Sequence, residues 1–319
     1  MAGGSGLAAR ETGTGLSPTM VALRRLARDR VAVLCAVVLA GFVLVALCAP
    51  LLARLEGQSC AALHTELVDP YGYPVVGPDS RHWFGIEPRL GRDLFARWAY
   101  GARPSLLIGV GAAAGVTMIG VPLGLVAGFA GGVVDRLIVW LIDFMLSIPT
   151  ILFIVGAVPV VATWFGPEAA RSSTLDAEIR LWTLVCVFAL FGWPVMARLI
   201  RGEVMSLRER EFVDAARLLG MPTRRILRSE LLPNLTGPIV VGVSLAIPAY
   251  VTAEAGLSFL GVGLIEPTPS WGRTIADATS YYASDPLYLW VPAASVLLLV
   301  LALNLLGDAI RDAFDPTAR

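Results

Sequence analysis

Six apolar runs divide this chain, at roughly 31 to 53, 104 to 130, 134 to 162, 181 to 203, 236 to 262 and 287 to 310. Each is long enough for a helix to cross the hydrocarbon layer, which takes about 20 mostly apolar residues. Lipid offers no hydrogen bonds to the backbone, so segments of this length satisfy their own polar groups as helices. The fold class that follows is an all-α membrane protein with six transmembrane helices. Composition agrees: 56% of residues are hydrophobic, 16% are charged and the mean hydropathy is +0.71, outside the range of soluble domains.

Charge is sparse, and its placement carries the topology. The 25 basic and 25 acidic residues cancel, so the total points neither to nucleic acid nor to an acidic soluble partner. Every basic residue is arginine, and lysine is absent. Arg24, Arg25, Arg28 and Arg30 precede the first run, which is too long for a secretory signal and lacks a matching cleavage site. It reads as a retained anchor. With both termini in the cytoplasm, most arginines fall on the cytoplasmic side, among them Arg10, Arg136, Arg198, Arg201, Arg208, Arg217, Arg311 and Arg319, as the positive-inside rule requires. The expected organisation is a cytoplasmic segment over 1–30, then a first span with a long outer loop over 31–103. A five-helix core follows over 104–311, containing a cytoplasmic loop at 207–235, and a tail over 312–319 closes the chain. Outer loops are expected at 54–103, 163–180 and 263–286.

Within the spans, Gly120, Gly124 and Gly128 recur every four residues and allow a neighbouring helix to approach closely. Pro122, Pro149, Pro194, Pro248 and Pro292 each remove a backbone donor and favour bends. Cys35, Cys48, Cys60 and Cys186 show no paired spacing, and Cys60 is the one expected to be exposed. His64 and His82 share the long loop without nearby cysteines and read as loop residues rather than metal ligands. No catalytic, cofactor-binding or metal-binding set is evident.

Between the fourth and fifth runs lies a polar island, 209 to 234, reading EREFVDAARLLGMPTRRILRSELLPN. Over 207 to 219 it reads as a helix with one apolar side formed by Phe212, Val213, Ala215, Ala216, Leu218 and Leu219. Gly220 fits the left-handed position after a helix end, and Pro222 and Thr223 open a second helix through 224 to 231. Pro233 is expected to break it before the fifth span. The small Ala215 and Ala216 beside Gly220 leave a shallow surface suited to a partner protein.

These residues resemble the membrane-spanning permease subunits of ABC importers, whose cytoplasmic loop carries EAA-x3-G-x9-I-x-LP. Asp214, Ala215, Ala216, Gly220, Leu232 and Pro233 stand at those spacings, with Asp214 in place of glutamate and Glu230 in place of isoleucine, and with Arg217 they are the residues the resemblance implies for coupling to the ATPase. Further resemblance, to the C-type permease of the dipeptide/oligopeptide (peptide/nickel) group, rests on segments in order along the chain. They are His82-Trp83-Phe84-Gly85, Leu90-Gly91-Arg92-Asp93, Tyr100-Gly101-Ala102-Arg103 and Ser147-Ile148-Pro149. Then come Glu254-Ala255-Gly256-Leu257-Ser258-Phe259-Leu260-Gly261, Trp271-Gly272, Asn304-Leu305-Leu306-Gly307-Asp308, Arg311-Asp312 and Asp315-Pro316. The resemblance implies the type I importer permease fold with a coupling helix in the island. It implies a second homologous permease, two ATPase subunits or domains that carry ATP and magnesium, and an extracytoplasmic binding protein that delivers peptide. A phosphate-cradling loop needs a lysine, so a chain without lysine does not supply the ATPase itself.

Asp143 and Glu254 are ionisable groups inside spans, where burial is costly and function is the default hypothesis. With Pro149 and Ser258 they are candidates for the translocation path or its gate. The structural alternative pairs Asp143 with Arg136 or Arg198 and braces Glu254 against Ser258 or a neighbouring helix. Residues 89 to 103 read either as a contact for the binding protein or as an amphipathic helix lying at the interface. The rival functions are a permease for nickel or another small solute, a self-sufficient secondary carrier, and an intramembrane enzyme. The carrier lacks an evident internal repeat and the enzyme lacks a catalytic constellation.

Overall fold

The computed structural model describes residues 18–165 and 172–314. Arg10, Arg171, Arg319, Asp315-Pro316 and part of the 163–180 loop lie outside the described residues. Twelve helical elements follow in order: α1 (Pro18–Leu26), α2 (Arg30–Glu56), α3 (Leu94–Ala130), α4 (Gly132–Ser147), α5 (Thr150–Thr163), α6 (Ser173–Leu207), α7 (Glu211–Leu218), α8 (Thr223–Arg225), α9 (Leu232–Asn234), α10 (Thr236–Phe259), α11 (Trp271–Ala278) and α12 (Pro286–Phe314). A π-helical turn, Ile226–Leu231, joins α8 to α9.

Five of these, α2, α3, α6, α10 and α12, are long and apolar enough to span singly. The run at 134 to 162 is not one straight helix but α4 and α5, bent by 80° at their junction. Proline is the cause. Pro149 has no N–H to continue the α4 ladder, and it forces Ile148 into an extended conformation at φ −86, ψ 122. Pro122, Pro194, Pro248 and Pro292 lie inside continuous helices, so the expectation of a bend at each holds as a break only at Pro149.

α3 begins ten residues before the apolar run that announced it, because Asp93 caps it, its side chain accepting from Ala96 N at 2.7 Å. The expected interfacial helix over 89 to 103 is therefore the first turns of α3 itself. These turns pack against the long loop: Trp83, Phe84, Phe95 and Trp98 form a chain of ring contacts 4.7 to 5.7 Å apart.

α3 and α6 form the bundle's central pair, and the glycines are the reason. A Cβ on Gly120 would stand 2.8 Å from Met196 Cβ, one on Gly124 2.9 Å from Ile200 Cβ, and one on Gly128 2.7 Å from Val204 Cβ. Only hydrogen fits at these three turns. α10 packs on α3 and α12, α2 closes the other side of α3 and α12, and α11 is wedged between α10 and α12.

Candidate functional site

The island caps one end of the bundle. α6 runs on to Leu207, so α7 starts at Glu211 rather than at 207. Val213 and Ala216, one turn apart, face inward; together with Ile226, Leu231 and Leu235 they join a core formed by Val116, Val121 and Leu125 of α3 and Met196, Ile200 and Val204 of α6. The island is thus part of the same packed unit as the two central spans.

α7 ends as its glycine demands. Gly220 adopts φ 72, and the Met221 N–H reaches back to Ala216 O at 3.1 Å while the Gly220 N–H reaches Arg217 O at 2.9 Å. The following π-turn sets which residues of 226–231 face the core. Hydrogen bonding from i to i+5 places residues five apart on one side, and Ile226 and Leu231 are both buried, at 2% and 0% exposure. A regular α-helix would turn one of them to solvent. Pro233 does not break the run: it stands in the first turn of α9, where no N–H is required, and Leu231, Leu232 and Leu235 all keep right-handed helical angles.

Leu218 and Leu219, expected on the apolar side, are 89% and 83% exposed. Leu218 falls on the face opposite Val213 and Ala216, and Leu219 lies past the end of α7. Of the motif residues, Asp214, Ala215, Arg217, Gly220, Leu232 and Pro233 are on the surface and Ala216 is in the core. The tip therefore presents two leucines beside small residues, with Arg224, Arg225 and Arg228 exposed nearby. This surface is suited to an apolar groove on another protein.

Charged side chains tie the island to α3 through Arg217, α6 to α3 through Arg208, and α6 to α4 through Arg201. The Arg217 guanidinium lies over the Phe129 ring at 5.1 Å and bonds Asp214 at 3.3 Å, Arg208 Nη1 donates to Gly128 O at 2.9 Å, and Arg201 makes a two-toothed pair with Asp135 at 2.5 and 2.8 Å.

Glu254 sits in α10, fully buried. Its Oε2 accepts from Ser105 Oγ at 2.8 Å, and its Oε1 accepts from Ser258 Oγ at 2.8 Å and Ser270 Oγ at 3.1 Å. Ser258 Oγ in turn accepts the Leu264 N–H at 3.0 Å. One carboxyl thereby binds α3, α10 and the start of α11 together, the bracing arrangement, and no part of it opens onto a path within this subunit. Trp271 Nε1 donates to Trp98 O at 2.9 Å, and Gly101 and Gly272 leave room for the indole and for the α10 backbone.

At the same end, Arg92 and Arg97 each bridge Glu87 and Glu266; Arg97 lies 3.1 Å from Glu87 and 2.7 Å from Glu266, and Arg92 lies 2.9 Å from Glu266. Burial pushes the Glu87 carboxyl up despite these partners. Partial burial also opposes the charge on Glu266, but Arg97 and Arg92 overcome it and hold that carboxyl down. His82 is not a free loop residue: buried, it bonds Asp93 at 2.8 Å and packs edge-on against His64. Cys186 is the exposed thiol, on the outer surface of α6, and Cys60 is half-buried. Among the described residues no group of three His, Cys, Asp or Glu side chains is placed to hold a metal ion.

Asp143 on α4 pairs with Arg198 on α6 at 2.6 Å, one of the two partners expected for it. Pro149 makes the α4–α5 break, and Ser258 belongs to the Glu254 cluster. The four path candidates thus fall in three places.

Residues 120–319 match the model of the family described as binding-protein-dependent transport system inner membrane component, and residues 17–73 match the N-terminal transmembrane domain of oligopeptide transport permease C. The dipeptide transport system permease protein DppC of Alkalihalophilus pseudofirmus is 35% identical over 303 residues, covering 95% of this chain and 91% of that protein. The oligopeptide transport system permease protein OppC of Mycobacterium bovis is 37% identical over 257 residues, covering 78% of this chain and 83% of that protein. Among solved structures, an inward-facing form of the MetNI methionine ABC transporter has the same fold, with a TM-score of 0.53 at 18% identity over 69% of this chain and 96% of that one.

Proposed function

This chain belongs to the family of binding-protein-dependent transport system inner membrane components, and we propose that it is the permease subunit of an ATP-driven peptide importer. It forms the path with a second homologous permease, receives peptide from an extracytoplasmic binding protein, and is itself non-catalytic. ATP and magnesium are held by separate ATPase subunits. It resides in the bacterial cytoplasmic membrane with both termini and the island in the cytoplasm.

The observation that carries this reading is the island: exposed Leu218 and Leu219 on a helix whose other face is part of the α3–α6 core. An ATPase groove that takes the two leucines and moves on binding ATP would carry α7 with it. The buried contacts of Val213, Ala216, Ile226 and Leu231 then pass the motion to the central spans as a rigid body. The peptide cargo is supported by the naming of the relatives, dipeptide and oligopeptide permeases at 35% and 37% identity.

The test is co-expression with the neighbouring genes' products and purification through a tag on this chain, for wild type and for Leu218→Asp with Leu219→Asp. Both side chains are exposed, so the substitutions leave the fold intact. Loss of a co-purifying ATPase from the double variant alone supports the reading. A wild-type chain that purifies with no nucleotide-binding partner and still transports would overturn it.

A further inference from the structure

The Asp143–Arg198 pair is open: the side chains are 60% and 57% exposed. Its depth follows from the helices that carry it. The α3–α4 junction and the end of α6 lie at the same end of the bundle, joined by the bond from Arg208 to Gly128 O. Asp143 is eleven residues along α4 from Gly132, about 16 Å at a rise of 1.5 Å per residue. Arg198 is five residues before the end of the fourth apolar run at 203, about 8 Å by the same rise. A hydrocarbon layer about 30 Å thick has its middle about 15 Å from either face. The pair therefore stands within the membrane thickness, in the half nearer the island, while the better-covered Asp135–Arg201 pair lies closer still to the island end.

Hydrocarbon cannot be what faces such a pair. Among the described residues Asp143 and Arg198 share one hydrogen bond and make none to a third residue, so most of their lone pairs and N–H groups are left to the surroundings. Charges at this depth face water or the interior of an assembly. Trp140 and Phe144, one turn apart on α4 and flanking Asp143, stack with centroids 5.8 Å apart and are exposed, as is Val195, one turn before Arg198 on α6. The surface thus offers one fixed anion, one fixed cation and an apolar aromatic flank.

We propose that the Asp143–Arg198 pair lies on the wall of the water-filled path and is a two-signed contact for zwitterionic cargo. The carboxylate of Asp143 meets a cargo ammonium, the guanidinium of Arg198 meets a cargo carboxylate, and the two close on each other when the path is empty. The inference rests on the permease reading, but the test of the wall does not depend on the cargo.

The experiment uses the complete transporter in proteoliposomes, with this chain's native cysteines replaced and Val195→Cys introduced, which leaves the pair intact. A membrane-impermeant cationic methanethiosulfonate is added to both faces, and Leu44→Cys on the exposed apolar surface of α2 serves as the lipid-facing comparison. Modification at position 195 is expected at least tenfold faster than at position 44, and it should stop uptake. Equal rates overturn the proposal. In the second arm Asp143→Asn with Arg198→Gln should lower uptake of a free dipeptide at least tenfold while the complex still hydrolyses ATP; wild-type uptake overturns the contact role. If that variant fails to assemble, the labelling result decides. Should the wild-type complex take up no peptide while position 195 still labels fast, the peptide reading fails and the water-filled wall stands.

Discussion

Arg217 lays its guanidinium over the ring of Phe129, 5.1 Å from the centroid, and so fastens the exposed face of α7 to the last turn of α3. Phe129 also packs against the buried core that joins the same two elements, and Arg217 directly precedes Leu218 and Leu219 in the chain. A motion imposed on the leucines reaches α3 through two routes, one apolar and one cationic.

Removing the cationic route should loosen the coupling without dissolving the site. A cation–π contact at an exposed position contributes about 0.5–1 kcal/mol. Arg217→Ala is expected to keep its ATPase partner on purification and to transport fewer molecules per ATP hydrolysed. Phe129→Leu should give the same defect, and the double variant should be no worse than either single one. Additive defects would show that the two residues act separately.

The α3–α6 contact tolerates no Cβ at Gly124, where Ile200 Cβ would stand 2.9 Å away. Gly124→Val forces the helices apart and should cost about 1–3 kcal/mol, the usual range for overpacking. Gly41→Val on α2 meets nothing within 4 Å and is the control. Thermal aggregation of the detergent-solubilised complex is the measurement, and equal midpoints for the two variants would contradict the packing account.

Glu254 separates a bracing role from a charged one. Glu254→Gln retains groups that the three serine hydroxyls can reorient to meet, and is expected to assemble normally. Glu254→Ala leaves Ser105, Ser258 and Ser270 without their common acceptor and opens a cavity, at a cost of about 2–5 kcal/mol. Yield and thermal stability should fall for alanine alone. Reduced uptake by a fully assembled Gln variant would instead assign the charge a part in gating.

The Glu87–Arg92–Arg97–Glu266 cluster predicts an acid limit for the long loop. Glu266 is held below the ordinary glutamate value of 4.5, so its contribution is complete above that value and is lost as pH falls through the depressed one. Glu87 is shifted up and works in the opposite sense, its contribution being fullest at low pH. Proteolytic cleavage within 57–93 should therefore rise below about pH 4.5 and, in Glu266→Gln, be high and flat across that range. An unchanged acid profile in the variant would remove Glu266 as the cause.

Much of this molecule is legible along the chain because membrane burial writes itself into local composition. The glycines spaced by four on α3 and the stop at Gly220 needed only sequence spacing and the steric freedom of glycine. The Asp214 to Pro233 pattern marked a segment that the structure places at one end of the bundle, with all of its motif residues except Ala216 on the surface. The outward turn of Leu218 and Leu219 was not legible, since a leucine beside an apolar stripe scores as part of it wherever the helix ends.

What the sequence alone determined is where the chain can cross a bilayer, which end of α7 must bend back, and which polar segment interrupts the spans, all of them set by residues within a few turns of one another. Tertiary structure decided the rest. It widened 226–231 so that two residues five apart share one core. It folded the first turns of α3 into the long loop through Arg92 and Arg97, and it enclosed Glu254 among three serines from separate segments while leaving Asp143 and Arg198 open. Those outcomes depend on partners distant in the sequence, whose mutual hydrogen bonding and packing no local pattern records.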